Sequence, residues 1–396
     1  MLLITNGKII AMTGQTFEKG YILADEGKII ELGNMEDMPA ISAISEKRVE
    51  VVDAEGGYVL PGLIDAHCHV GMWEDSVGFE GDDGNEATDP VTPQLRAIDG
   101  VYYADRSFTE ARENGVTTVV TGPGSANVIG GQFAALKTYG RRIEEMIVKE
   151  PVAMKVAFGE NPKTVYNEKR QMPMTRMATA ALLRENLMKA AEYKQQLEDY
   201  NKDRENNSKP DFDMKMEALL KVINREIPLK AHAHRADDIL TAIRIAKEFN
   251  LRLTIEHCTE GHLIKDILAE EGVAAIVGPS LTDRSKPELR NQSLKTPGIL
   301  SESGVKVAIM TDHPCIPVQY LSLCAAMAVR EGMDDYEAMK AVTINAAEIT
   351  GIGDRVGSLE KGKDADIVVF NGHPFELRTK VMMTVINGNI VYKAQR

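Results

Sequence analysis

The sequence predicts an α/β protein: a (β/α)8 TIM-type barrel with a small β-sandwich domain formed from both chain ends. Three observations predict it. Eight short apolar runs alternate with amphipathic segments through the middle of the chain, the pattern of βαβ units on a parallel sheet. Both ends hold short alternating strands instead. Histidines gather at the C-terminal ends of the central apolar runs, where a barrel brings distant residues to one mouth.

The elements follow in order. Residues 1–56 contain LLITNGKII, GYILADEGKIIELG and the start of VEVVDAEGGYV, and their Asn-Gly and Glu-Gly breaks predict hairpins. Residues 359–396 have the same character in DADIVVF and VMMTVINGNIVYK, so the two ends are expected to share one small sandwich. Between them, 57–358 forms the barrel. Its strands are expected at 60–69, 116–121, 133–137, 152–158, 228–234, 251–257, 273–277 and 305–311. The third lies between Gly130-Gly131 and Tyr139-Gly140, which would frame a hairpin equally well. Helices are expected at 236–249, 261–272 and 336–351, each stopped by Asn or Gly. Eight βα units would close a barrel; an open doubly wound sheet is the alternative. A helical insertion at about 176–226 breaks the rhythm. Its charge runs read as a solvated surface pair, with a cap over the site or an oligomer contact as the other reading.

Composition narrows the function classes. The chain has 396 residues, 43% hydrophobic and 27% charged, the balance of a globular protein with a sizeable core. A net charge of −13 argues against nucleic acid or an anionic membrane as the main partner. No stretch of about 18 uncharged apolar residues suggests a membrane span. The opening MLLITNGKIIAMTGQ reads as a strand rather than a signal peptide, so the cytoplasm is the expected compartment. The four cysteines include no CxxC pair, which excludes a zinc-ribbon or thioredoxin reading and leaves free, buried thiols.

The chemistry starts at LPGLIDAHCHVG, residues 60–71. Strand side chains alternate, so His67 and His69 face the same way, about 6–7 Å apart, and both can reach one metal ion. Asp65 shares that face and can orient a ligand from behind. An isolated HxH is weak. The rest of the chain strengthens it: of eight histidines, His67, His69, His232, His234 and His257 all lie at or near expected strand ends. Asp312 ends the last strand and Glu160 the fourth. Each is a candidate ligand, and Asp312 is also a candidate proton carrier. Lys155 lies on the fourth strand too, five residues before Glu160, and reads as sitting too deep.

Together these residues resemble the amidohydrolase superfamily. PGLIDAHCH is similar to its opening signature, GSLEKGKDADIVVF and VINGNIVY to its small sandwich, and the branch it looks closest to is imidazolonepropionase-like or prolidase-like. The resemblance implies a metal-dependent hydrolase cleaving a C–N bond (amide, peptide-like or cyclic amide) by attack of metal-activated hydroxide. It implies one or two divalent ions, zinc first, held by His67, His69, Glu160, His232, His257 and Asp312. Many binuclear relatives use a carboxylated lysine on the fourth strand, where this chain offers Glu160. At the fifth strand either His232 or His234 is the ligand, and the other polarises or contacts the substrate. Asp312 and His234 are the expected catalytic residues.

A small-molecule substrate and a homo-oligomer are expected. The Gly-rich GPGSANVIGGQ, residues 122–132, reads as a substrate wall using Asn127 and Gln132, or as a plain barrel loop. Arg284, with Lys286 and Arg290, reads as a partner for a substrate carboxylate, or as a solvated basic loop. A deaminase of an aminated heterocycle is the rival activity. Against it, the glutamate expected three residues after the first fifth-strand histidine is Arg235. A non-catalytic scaffold on the same fold is the rival from another class; the retained ligands speak against it.

Overall fold

In the computed structural model, which describes residues 1–39, 49–74 and 77–395, two eight-stranded sheets divide the chain. Residues 40–48, 75–76 and 396, within the segments assigned above, lie outside the described residues. The first sheet takes strands from both ends. Its N-terminal members are β1 (Leu2–Ile10), β2 (Thr16–Asp25), β3 (Lys28–Asn34), β4 (Glu50–Asp53) and β5 (Tyr58–Pro61). The second sheet comprises β6 (Leu63–Cys68), β7 (Val116–Thr121), β8 (Ile129–Lys137), β9 (Ile147–Ala157), β10 (Leu229–Ala233), β11 (Leu253–His257), β12 (Ala274–Val277) and β13 (Val307–Ile309). The chain then returns to the first sheet with β14 (Ile367–Phe370), β15 (Val381–Ile386) and β16 (Asn389–Lys393). There β14 pairs antiparallel with β5, which splices the C-terminal strands onto the N-terminal ones.

The second sheet is the barrel. Its strands run in sequence order from β6 to β13, and the two edges meet where Asp312 N–H donates to the His67 carbonyl and His69 N–H to the His313 carbonyl. One strand departs from the expected pattern: β8 is antiparallel to both β7 and β9. Only residues 122–128 join β7 to β8, too few for the crossover helix that a parallel pair needs. The hairpin that Gly130-Gly131 hinted at is therefore part of the barrel wall.

Apolar strand faces meet apolar helix faces outside the barrel. Met154, Val156, Leu229, Ala231 and Ile255 pack with Leu183, Leu187, Leu219, Ile239 and Ile245 in one buried cluster. The helical insertion consists of helices Arg176–Lys202 and Met214–Ile223. The first buries one face through Leu183, Leu187, Ala190 and Tyr193, and is exposed at its C-terminal end. It braces the barrel wall and does not cap the mouth. The helix expected at 336–351 is two shorter ones, broken at Thr343. No helix among the described residues is long and apolar enough to cross a membrane.

Barrel and terminal sheet are joined by charge as well as packing. Lys137, at the end of β8 and 1% exposed, places Nζ 3.0 Å from Asp364 Oδ2 and 2.5 Å from Asp366 Oδ2. Asp364 also meets Lys28 and Arg355, at 2.6 and 2.8 Å. Burial pushes its carboxyl pKa up, yet the three cations together hold it below the ordinary value.

Candidate metal centre and active site

Each donor reaches the mouth for a local reason. Alternation along β6 sends His67 and His69 to one side, and their rings lie 5.3 Å apart. Lys230 and His232 share a face of β10 in the same way. Glu256 and His257 are consecutive, so a flat strand would turn one of them outward. His257 instead has φ +68°, and Cys258 φ +51°. This left-handed bend turns the imidazole to the mouth while Glu256 stays beneath it. Asp312, just past β13, has φ +54°. Such backbone costs a non-glycine residue on the order of 1–2 kcal/mol and clusters at functional sites. Gly278, at φ +147°, supplies the carbonyl that holds His257; a Cβ there would lie 2.6 Å from the Met310 carbonyl oxygen.

Two donor groups converge. His232, His234 and His257 form one, and His67, His257 and Asp312 the other, with the ligand atoms of each group within 4.8 Å of one another. Asp312 Oδ1 lies 3.3 Å from His69 Nε2 and 3.5 Å from His67 Nε2. Two donors on one tetrahedral ion, each about 2.1 Å from it, sit about 3.4 Å apart. The spacing is therefore that of ligands around a shared cation.

The imidazoles are held from behind. His69 Nδ1 donates to the Gly122 carbonyl at 2.7 Å and His257 Nδ1 to the Gly278 carbonyl at 2.9 Å. A carbonyl only accepts, so the proton sits on Nδ1 and the Nε2 lone pair faces the centre. The Ser125 hydroxyl holds His232 Nδ1 at 2.9 Å and the Thr259 hydroxyl holds His234 Nδ1 at 2.8 Å. His67 Nδ1 lies 3.0 Å from Glu256 Oε2, off the hydrogen-bond line. His232 Nε2 and His257 Nε2 are buried with no hydrogen-bond partner. Burial, reinforced by neighbouring cations and imidazoles, lowers the pKa of His67, His232, His234 and His257 well below the usual histidine value. Neutral rings with lone pairs pointed inward fit a divalent cation.

Beneath the histidines lie two buried lysines. Lys155 Nζ is 3.2 Å from His67 Nε2, and burial brings its pKa down to about 8 despite Asp312 and Glu256. Lys230 Nζ lies 2.8 Å from Glu256 Oε2 and donates to the Ala66 carbonyl. Above the donors opens a cavity of about 500 Å3, bordered by Trp73, Ser125, Asn161, Lys286 and Cys315.

The sequence model of the amidohydrolase family matches residues 58–391. The chain belongs to the amidohydrolase family. The family match supports a metal-dependent hydrolase acting on carbon–nitrogen bonds, and the histidine and aspartate groups could hold a metal. A solved amidohydrolase from Thermotoga maritima MSB8 is 43% identical, with all of both chains covered and a TM-score of 0.93. The amidohydrolase tasK of Hapsidospora irregularis is 28% identical over 96% of this chain, which spans only 40% of that protein. An imidazolonepropionase of Colwellia psychrerythraea is 25% identical over 91% of this chain and 87% of its own. A solved Xaa-Pro dipeptidase shares the fold at a TM-score of 0.59 and 18% identity, covering 99% of this chain and 100% of its own.

Within this amidohydrolase the candidate residues separate cleanly. His67, His69, His232, His234, His257 and Asp312 come together. Glu160 does not join them. It opens the helix Glu160–Glu168, half-buried, after Gly159 turns the chain at φ +80°, and it contributes its backbone N–H to Glu288. Lys155 sits one turn of reach below, and its long side chain makes up the depth. Asn127 is buried but donates to the Glu86 and Asp89 carbonyls and to Thr92, which fastens the loop before it. Gln132 donates to the Pro93 carbonyl. Neither borders the cavity; the Gly-rich loop reaches it through Gly124 and Ser125. Arg284 is exposed and donates to the Gln292 carbonyl, and Arg290 is exposed beside Glu260. Of that loop's cations, Lys286 faces the cavity. Asp65 holds the His67 N–H and both the N–H and hydroxyl of Thr311, so it ties β6 to the approach to Asp312 rather than bonding a histidine ring. Arg235, where a deaminase would carry glutamate, pairs with Asp237 at the surface.

Proposed function

We propose that the protein hydrolyses the amide or cyclic amide bond of a small substrate bearing a carboxylate. The supporting observation is Asp312: its Oδ1 faces both β6 imidazoles at 3.3 and 3.5 Å, at the floor of a cavity of about 500 Å3. That volume suits a dipeptide, an N-acyl amino acid or a ring of similar size.

His67, His69 and Asp312 would hold one divalent ion, and His232, His234 and His257 surround the place for a second. Zinc is the metal such an imidazole-rich set favours. A divalent ion supplies an acidified water and polarises the scissile carbonyl. We assign the fourth-strand donor to Lys155 instead of Glu160, as a carbamate formed when its amine adds carbon dioxide and releases a proton. Asp312 takes the proton from the attacking water and passes it to the leaving nitrogen. His234, its Nδ1 held by the Thr259 hydroxyl, is assigned with His232 and His257 to the second ion and not to the carbonyl oxygen. Lys286, on the cavity rim, meets the substrate carboxylate. The four cysteines are free, with Cys315 exposed and the other three buried; free thiols fit a reducing compartment, so we place the protein in the cytoplasm, and we expect a homo-oligomer.

The test is a screen of N-acyl amino acids, dipeptides and cyclic amides with zinc and manganese. Release of a free amine or ring opening in one class is expected. Ammonia release from an aminated heterocycle, with no amide cleaved, would replace this reading by the deaminase.

A further inference from the structure

We propose that Glu288 is a metal-binding carboxylate of this centre, brought in by the loop after β12 and not by a barrel strand. The inference rests on the metal-hydrolase reading and extends its ligand set.

Glu288 lies in the short turn Pro287–Leu289 and is 2% exposed, although its loop is rich in charge. Its two oxygens differ. Oε2 accepts the Glu160 backbone N–H at 3.0 Å, which fixes the carboxylate plane. Oε1 is buried, ion-paired with Lys286 Nζ at 2.6 Å, and lies 3.6 Å from His234 Nε2 and 4.0 Å from His232 Nε2. These spacings are close to the roughly 3.4 Å expected for two donors on one tetrahedral ion. His232 and His234 belong with His257 to one convergent donor group, and Oε1 stands beside that group.

That arrangement needs a cation. Lone pairs of neutral imidazoles repel a carboxylate oxygen brought this close. Lys286 does approach Oε1, at 2.6 Å, and its ammonium also donates to Asn161 at 2.8 Å. Lys286 is a quarter exposed and borders the same cavity; its ammonium accounts for the charge of Glu288 but leaves His232 Nε2 and His257 Nε2 without a partner. A pair with Lys286 alone could form in solvent and would give no reason to push Oε1 into the ring of histidines. A divalent ion among the three imidazoles gives His232 Nε2 and His257 Nε2 the partner they lack, with Glu288 Oε1 near enough to His234 and His232 to join them. It also gives this group an anionic ligand of its own, as Asp312 gives the other.

The experiment is zinc and cobalt titration of full-length, metal-stripped protein, followed by metal counting after dialysis. It compares wild type, Glu288→Gln and Lys286→Met. Glu288→Gln is expected to weaken binding of one equivalent at least tenfold and to change the visible spectrum of bound cobalt. Lys286→Met keeps the donor and should bind metal at least as tightly as wild type. Glu288→Gln with wild-type stoichiometry and affinity within threefold overturns the proposal. Wild type that binds no metal overturns the hydrolase reading itself, which is a separate result. Should Glu288→Gln fail to fold, zinc-edge anomalous diffraction on wild-type crystals decides: an ion about 2.2 Å from Glu288 Oε1 supports the proposal, and an ion among the histidines but beyond bonding distance of Glu288 overturns it.

Discussion

Glu256→Gln separates the two duties of the buried charge beneath the site. Glu256 is fully buried, with Lys230 Nζ at 2.8 Å and His67 Nδ1 at 3.0 Å, while Thr254 donates to its other oxygen. Glutamine keeps the volume and removes the charge. Lys230, 1% exposed, is then left with the Ala66 carbonyl alone. Stranding one member of a buried ion pair costs about 3–5 kcal/mol. For a chain of this length the loss corresponds to a fall in melting temperature of about 4–6 °C. The same change removes the anion 3.0 Å from His67 Nδ1, and loss of such a partner behind a ligand lowers metal affinity about 10–100-fold. Calorimetry of metal-stripped protein reads the first effect and zinc titration the second. The double variant Lys230→Met with Glu256→Gln should regain most of the stability, because no charge is stranded, while zinc stays weak. A single variant within about 1 kcal/mol of wild type, with unchanged zinc affinity, refutes the reasoning.

Other outcomes follow from the same geometry. Asp312→Asn should fold normally, since asparagine tolerates the left-handed backbone at this position, and should lower turnover about 10²–10⁴-fold on any substrate the screen finds. Lys155→Met should abolish one equivalent of bound zinc, and wild type grown with 13C-bicarbonate should show a carbamate carbon signal that the variant lacks. Lys137→Met strands Asp366 at the junction of barrel and terminal sheet and should destabilise the protein by about 3–5 kcal/mol in denaturant titration. Asp364 has a lowered pKa in the folded protein, so the unfolded chain takes up more protons as pH falls. Its contribution is complete above the ordinary carboxylate pKa of about 4 and is lost below it, and the acid limb of the stability curve should flatten in Lys137→Met.

The sequence made most of the site legible because imidazoles at strand ends are rare and strand geometry is regular. HxH on a strand places two rings on one side whatever surrounds it, and this holds for His67 with His69 and His232 with His234. The run 116–121 coincides with β7 because Gly115 and Gly122 bracket it. What escaped depends on local backbone or on reach. The chain turns at Gly159, so Glu160 begins a helix instead of extending β9. Lys155 reaches the centre through its four methylenes, which strand counting ignores. β8 inverts because its connection is short. Glu288 left only a faint signal, a Pro-Glu step beside Lys286 in a polar loop, and no periodicity singles it out from its charged neighbours. The loop that holds Asn127 and Gln132 suits a substrate wall or a plain barrel loop equally in sequence, and their amides hold backbone carbonyls.

The central claim is most directly tested by counting tightly bound zinc on protein purified without chelator, beside the variant His67→Ala, His257→Ala. The account predicts one to two equivalents on wild type and a loss of tight binding in the double variant, which takes a donor from each group. Wild-type protein that retains no zinc after exposure to excess metal and dialysis, or a double variant that retains as much as wild type, would contradict it.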